Sequence, residues 1–377
     1  MAPQPILISA GEASGDLYAA RLAAALRQRV DVQLFGMGGP RMREAGVELV
    51  ADYAEVSVVG IVEIVRKLPA LRRVFRRMRE AAEQRKPRFA ILTDFPGFHL
   101  RLSRVLKRRG VQNIFFVCPQ FWAWRPWRAN LVRRRFARGL CIFPFEEAWY
   151  RARGVNADFI GHPLVGQVAA KRTRAEFAAA HGLDASKLIV ALLPGSRLGE
   201  IEQNLPPMLA ATHLIAKGRE AQFIVALAPG PESLGNAQRS RAPDGICWVR
   251  DETYDAVASA DLAIVSSGTA TVETALLGAP MIVVYRVNRL TAAIGRMLIR
   301  TPMFAMVNLI AGRKVVPELI QEDFTPERVA AEAARLLDDA QAREAMRTAL
   351  AEVRERLGPP GAIDRAADLI VQMLKES

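Results

Sequence analysis

A short apolar run, a glycine turn and the start of a helix open this chain, and that order constrains its folding more than any other feature. Residues 6–8 lead into Gly11, Glu12, Ala13, Ser14, Gly15 and Asp16, and a helical pattern continues from Leu17. A strand that turns through glycines into a helix is the first βα step of a Rossmann-like sheet. Glycines at both ends let the backbone turn sharply and approach a ligand closely, but Glu12 puts an acid where a plain phosphate cradle is small or neutral. The turn therefore suits hydroxyl groups better than pyrophosphate, with Glu12 and Ser14 as candidate contacts. The other reading of Glu12 is a structural part in the turn.

Strand-like runs at 6–8, 32–35, 89–92, 113–118 and 140–143 are separated by amphipathic or basic helical stretches, and the pattern begins again at 188–193, 223–227, 246–249, 262–265 and 281–284. Strands alternating with helices imply parallel sheets covered on both faces. The 377 residues suffice for two domains with a core each. We place them at 1–164 and 165–358; after a long helical segment over 326–357, a final helix over 359–377 completes the first domain. The expected fold class is α/β, with two Rossmann-like domains facing a cleft. This is the glycosyltransferase B architecture, which some sugar-nucleotide epimerases share, so the fold alone does not decide the chemistry.

Although 51% of the residues are hydrophobic, no apolar run approaches the roughly 18 residues of a membrane span, and no signal sequence is expected. A cytoplasmic protein is the expectation. Cys118, Cys141 and Cys247 read as structural thiols, and His99, His162, His181 and His213 lack metal-ligand spacing, so no metal is expected. The net charge of +13 is unevenly placed: residues 1–160 hold 28 Lys and Arg against 14 Asp and Glu. Such a field attracts polyanions, among them nucleic acid, an anionic membrane face or a phosphorylated substrate. No nucleic-acid motif accompanies the charge.

Two loops of the second half suit a nucleotide. Pro194, Gly195, Ser196 and Arg197 follow a strand, and turn amides, a hydroxyl and a guanidinium together can receive a diphosphate; an ordinary turn with an exposed arginine is the alternative. Ser266, Ser267, Gly268 and Thr269 enter a helix whose amino end favours phosphate. With Thr269 as N-cap, the capping-box partner is Val272, so Glu273 falls one residue late for capping and is available to accept bonds from ribose hydroxyls. In the first half, Asp94 follows the strand at 89–92, where a carboxylate can take a proton from an attacking hydroxyl; an Asx-turn or helix cap is the alternative. Around Trp122 and Trp124 the aromatics suit the floor of a sugar site, or packing between domains.

Over 58–78, apolar Ile61, Ile64, Val65, Leu68, Leu71, Val74, Phe75 and Met78 recur at helical spacing, beside Arg66, Lys67, Arg72, Arg73, Arg76, Arg77 and Arg79. This composition fits a helix in an anionic membrane interface, with Ile61, Val65, Leu68, Leu71, Arg72, Phe75 and Arg76 facing the lipid. A helix packed on the sheet with solvated arginines buries the same stripe.

The Gly11 to Asp16 hexapeptide resembles the amino-terminal signature of the lipid-A-disaccharide synthases. Similar segments follow in the family's order: Thr93 to His99, Pro119 to Arg125, Phe143 to Glu146, Phe159 to Pro163 and Asn308 to Arg313. His99 stands where the family commonly has Asn. The resemblance implies an inverting transfer of 2,3-diacylglucosamine from UDP to the 6-hydroxyl of 2,3-diacylglucosamine 1-phosphate, at the cytoplasmic surface of the inner membrane. It further implies Asp94 as general base with Glu12 next in line, and Ser14, His99, Trp124 and Asn308 as substrate contacts. Ser196, Arg197, Ser267, Gly268, Thr269 and Glu273 would hold UDP. A UDP-N-acetylglucosamine 2-epimerase, a lipid II transferase-like enzyme and a non-catalytic membrane-binding relative are the alternatives.

Overall fold

The computed structural model describes residues 3–56, 67–227, 244–287, 301 and 303–376. It divides into two compact units, Met1–Val165 with Leu357–Ser377, and Gly166–Arg356.

In the first unit, strands β1 (Gln4–Ala10), β2 (Val32–Gly38), β3 (Glu48–Asp52), β4 (Phe89–Thr93), β5 (Gln112–Phe116), β6 (Phe136–Cys141) and β7 (Ala157–Phe159) form one sheet in the order β3-β2-β1-β4-β5-β6-β7. Every pairing is parallel. The helices are α1 (Ala13–Arg27), α2 (Pro40–Glu44), α3 (Leu68–Arg85), α4 (Pro96–Lys107), α5 (Phe121–Trp124), α6 (Ala129–Arg135) and α7 (Pro144–Arg151). All five residues of β4 are buried, as expected of a central parallel strand covered on both faces.

The second unit holds β8 (Leu188–Leu193), β9 (Ala221–Leu227), β10 (Ile246–Arg250), β11 (Leu262–Ser266), β12 (Met281–Tyr285) and β13 (Glu318–Ile320) in the order β10-β9-β8-β11-β12-β13, again all parallel. Its helices are α8 (Arg174–Ala180), α9 (Leu198–Ala216), α10 (Thr253–Ala258), α11 (Thr269–Leu276), α12 (Met306–Ala311), α13 (Pro326–Asp338) and α14 (Ala340–Arg356). The last helix, α15 (Ala362–Glu376), packs on α1 in the first unit, where Arg29 pairs with Asp364 at 2.8 Å and Asp368 at 2.7 Å.

Three departures from the sequence reading have local causes. The expected strand at 140–143 begins earlier, at Phe136, because Arg138 in its middle pairs with Asp158 of β7 and so belongs to the ladder despite its charge. Short β3, β7 and β13 escape periodicity because each is an edge strand of only three to five residues with polar positions among them. The helical segment 326–357 is two helices: Asp339 leaves helical geometry, and its carboxylate accepts from the Ala342 amide to start α14.

Candidate active site

Strand order reverses between β1 and β4, and ligands of open α/β sheets bind beyond such a switch point. Ala10 pairs with Thr93 there, so the glycine turn and Asp94 emerge side by side. The Gly11 amide donates to Asp94 Oδ1 at 2.7 Å. A Cβ added to Gly15 would stand 1.7 Å from Asp94 Oδ2, and one added to Gly11 would stand 2.4 Å from Phe95 Cβ. The two glycines are thus required by what crosses over them. Asp94 neither caps α4, whose N-cap is Phe95, nor closes an Asx-turn; it takes φ 53°, a left-handed conformation that Asp tolerates.

The Asp94 carboxyl is held well above the usual carboxylate range. Burial is the main cause, the nearby Glu12 and Asp16 charges add to it, and the Gly11 and Glu12 amides pull the other way. Its Oδ2 is buried and carries no hydrogen bond. Glu12 is the N-cap residue of α1, and Glu12 and Ser14 are both exposed at the helix entry. Asp16 acts away from this centre, where its carboxylate accepts from the Gly39, Arg41 and Met42 amides and fixes the start of α2.

His99, expected as a substrate contact, is fully buried beneath the turn. Its Nδ1 faces the Asp94 carbonyl at 2.9 Å and its Nε2 faces Ser9 Oγ at 2.8 Å. A carbonyl only accepts, so Nδ1 carries the proton and Ser9 donates to Nε2. Burial lowers this ring to about 4, leaving it a neutral strut between β1 and the Asp94 backbone. Asn308 is corrected in the same way. It is 0% exposed, its Nδ2 donates to Val316 O and Glu318 Oε1, and its Oδ1 accepts from the Val315 and Val316 amides. Every polar atom of its amide shapes the 308–318 loop. Trp124 is half-buried beneath the Arg125 guanidinium, 4.6 Å away, while Trp122 donates to Glu146.

The second unit repeats the geometry. Its switch point lies between β8 and β11, and the loops after those strands are Pro194 to Arg197 and Ser267 to Thr269. Ser196 and Arg197 are exposed, and their amides reach Glu200 Oε2 at 3.2 and 3.4 Å. A carboxylate therefore already occupies the anion-seeking end of α9. In the other loop the N-cap is Gly268 rather than Thr269, which begins α11, so Glu273 lies outside any capping box by a different count from the expected one. Glu273 is half-buried, accepts from the Tyr254 hydroxyl at 2.8 Å, and is raised by burial.

One residue joining these loops was missed. Asn204, buried in α9, donates to Pro194 O and Ser266 Oγ, both at 3.1 Å, and accepts from the Arg286 amide at 3.0 Å. The available signal was an amide side chain on the apolar stripe of Ile201, Leu205 and Met208.

On α3 the apolar stripe is mostly internal. Val74 and Met78 are buried, Leu71 and Phe75 pack partly against the core, and Phe75 meets the Phe98 ring edge-on. Leu71 and Phe75 thus turn part of their surface inward and leave the rest outside the core. Leu68 is 40% exposed, Arg72 and Arg76 are exposed, and Ile61 and Val65 lie outside the described residues. Among the described residues no helix is long and apolar enough to cross a membrane, and no three His, Cys, Asp or Glu are grouped to hold a metal.

The family model described as lipid-A-disaccharide synthetase matches residues 6–367. A lipid-A-disaccharide synthase of Solibacter usitatus is 45% identical over 372 residues, 98% of this chain and 97% of that protein. Among solved structures, S. aureus MnaA in a UDP co-structure aligns with a TM-score of 0.69 at 12% identity, covering 99% of this chain and 97% of that one. CalG4, the calicheamicin glycosyltransferase, aligns with 0.62 at 14% identity, covering 100% and 99%. At such identities these structures speak for the glycosyltransferase B fold alone.

Proposed function

From the premise that the chain belongs to the lipid-A-disaccharide synthetase family, we propose how its residues divide the work of that family's reaction. The protein is a glycosyltransferase joining UDP-2,3-diacylglucosamine to 2,3-diacylglucosamine 1-phosphate, giving the β-1,6 disaccharide 1-phosphate and UDP. In the proposed scheme the acceptor 6-hydroxyl oxygen attacks the anomeric carbon, and the bond from that carbon to the diphosphate oxygen breaks with its electron pair leaving on UDP. Attack opposite the leaving group inverts the centre. The hydroxyl proton passes to Asp94.

The observation that carries this reading is the Asp94 carboxylate at the switch point, raised by burial, with one oxygen lacking a partner. A base poised above the usual carboxylate range takes a proton more readily near neutrality. That oxygen lies under Gly15, so the scheme requires the turn to open for the acceptor hydroxyl to reach it. Exposed Glu12 and Ser14 meet sugar hydroxyls, and Trp124 lies along the sugar's path. In the second unit, Arg197, the Ser196 and Arg197 amides and the amino end of α11 over Ser267, Gly268 and Thr269 receive the diphosphate, displacing Glu200. Glu273 accepts from ribose. The scheme calls on no cofactor, because the UDP-sugar is itself a substrate. Acylated substrates and the exposed Arg72 and Arg76 support a peripheral place on the cytoplasmic face of the inner membrane. An epimerase reading has only the fold in its favour.

Purified protein given both lipid substrates is expected to form disaccharide and UDP in equal amounts, with Asp94→Asn nearly inactive and Glu12→Gln impaired less. Full activity of Asp94→Asn would move the base to Glu12.

A further inference from the structure

Between Phe95 and Phe145 the chain carries eleven Lys and Arg and no Asp or Glu. Ion pairs from flanking elements reach part of this set: Arg109 bonds Glu83, and Arg138 bonds Asp158. Among the described residues no carboxylate pairs with Arg101, Arg125 or Arg128. Arg128 is half-buried, with its guanidinium 5.4 Å from the Trp127 ring centre, 5.5 Å from Trp124 and 5.9 Å from Phe121. Arg125 lies 4.6 Å over Trp124. Burial and the Arg125 and Arg101 charges all push Arg128 below the usual arginine range. Two cations, Arg125 and Arg128, thus share an aromatic floor, with the Arg101 charge acting on Arg128, beside Trp127, which is 60% exposed.

A guanidinium stacked on a ring still presents its N–H edge, and that edge matches two oxygens of a phosphate. A bound phosphate monoester would offset the repulsion that Arg125 and Arg101 exert on Arg128, and the exposed indole gives an acyl chain an apolar neighbour. We propose that Arg125 and Arg128, over Trp124 and Trp127, with Arg101 adding its charge, bind a lipid-borne phosphate monoester, which in the transferase reaction is the acceptor's 1-phosphate. The last clause rests on the function proposed above, and the site itself does not. Nothing but a phosphate monoester on a lipid is required, so the phosphatidate headgroup is the other source of the same chemistry.

The test is a tryptophan-fluorescence titration of the full chain with dihexanoyl phosphatidate, and with dihexanoyl phosphatidylcholine as the zwitterionic control. Wild type is expected to saturate with phosphatidate and not with the control. The Arg125→Gln/Arg128→Gln variant should bind about tenfold more weakly, and Arg125→Lys/Arg128→Lys should recover part of the loss because it keeps the charge. Equal phosphatidate binding by wild type and the Gln variant, or equal response to both lipids, overturns the site. Unfolding midpoints show that the variants are folded; should the Gln pair fail to fold, Arg101→Gln, on the exposed face of α4, serves in its place.

Two further arms identify the source. For the acceptor 1-phosphate dispersed in detergent, the Gln variant should raise the acceptor KM about tenfold and leave the donor KM unchanged. An unchanged acceptor KM together with weaker sedimentation on vesicles containing phosphatidate assigns the site to the headgroup and overturns the acceptor clause. If wild type forms no disaccharide at all, the proposed function fails, while the phosphatidate titration still reads the site.

Discussion

At the scale of single residues, the proposed scheme gives Asp94 opposite signs for activity and stability. Asn keeps the left-handed backbone and the loop shape but is no base, so Asp94→Asn should cut turnover about 10² to 10⁴-fold with donor affinity little changed. In wild type, the acid limb of kcat/KM should lie above the usual carboxylate range, since the base must first lose its proton. Stability follows from the same shift. A carboxyl whose folded pKa exceeds its unfolded one binds more protons when folded between the two values, so stability falls as pH rises through that window and stays reduced above it. Asp94→Asn should therefore raise the thermal midpoint at pH 8, with the gain shrinking towards pH 4; a lower midpoint at pH 8 would count against the raised carboxyl. On the nucleotide side, Arg197→Ala and Glu273→Ala should each weaken UDP binding by about 1.5 to 3 kcal/mol in calorimetric titration, the worth of a charged hydrogen bond. That Asp94, Arg197 and Glu273 lie at strand ends or helix entries was legible in the sequence, because turn residues stand beside each. His99, Asn308 and Asn204 were misassigned or missed because exposure decides whether a polar side chain meets ligand or chain, and exposure is not a local property.

The glycine turn and α3 carry the tests at the scale of elements. In Gly15→Ala the new methyl would strike Asp94 Oδ2 at 1.7 Å, so loss of turnover should approach that of Asp94→Asn while UDP binding in the second unit is kept. On α3, Arg77 bonds Glu55 and Arg76 lies 3.9 Å from Glu80, whereas Arg72 and Arg73 are exposed. Reversing Arg72 and Arg73 to Glu should reduce sedimentation with anionic vesicles, at roughly 1 kcal/mol per basic residue near such a surface, and wild-type binding should weaken as salt rises. Salt-independent binding would leave these arginines a solvated face. The amphipathic period of α3 was readable from spacing, but the same stripe serves lipid or core. Tertiary packing places Val74 and Met78 in the core and sets Phe75 partly against it, edge-on to Phe98.

For the whole molecule, two units with separate sheets should respond separately to a nucleotide that, in the proposed scheme, only the second holds. UDP at about 100 times its Kd should stabilise residues 166–356 by about 2.7 kcal/mol, and hydrogen exchange should slow at β8 and β11 and not at β1 and β4. Equal slowing in both sheets would misplace the nucleotide. What the sequence determined by itself is the succession of strands and helices, most sharply at β8, where the apolar run 188–193 became the strand Leu188–Leu193. It also determined the two-part plan and the turn residues at the strand ends, since these depend on spacing and backbone preference within a few residues. Tertiary structure alone decided strand order, and with it the meeting of Gly11 with Asp94 across 83 residues and of Asn204 with Ser266 across 62. Those contacts depend on which apolar faces bury one another, and that choice is made between segments far apart in the chain, where no local period reaches.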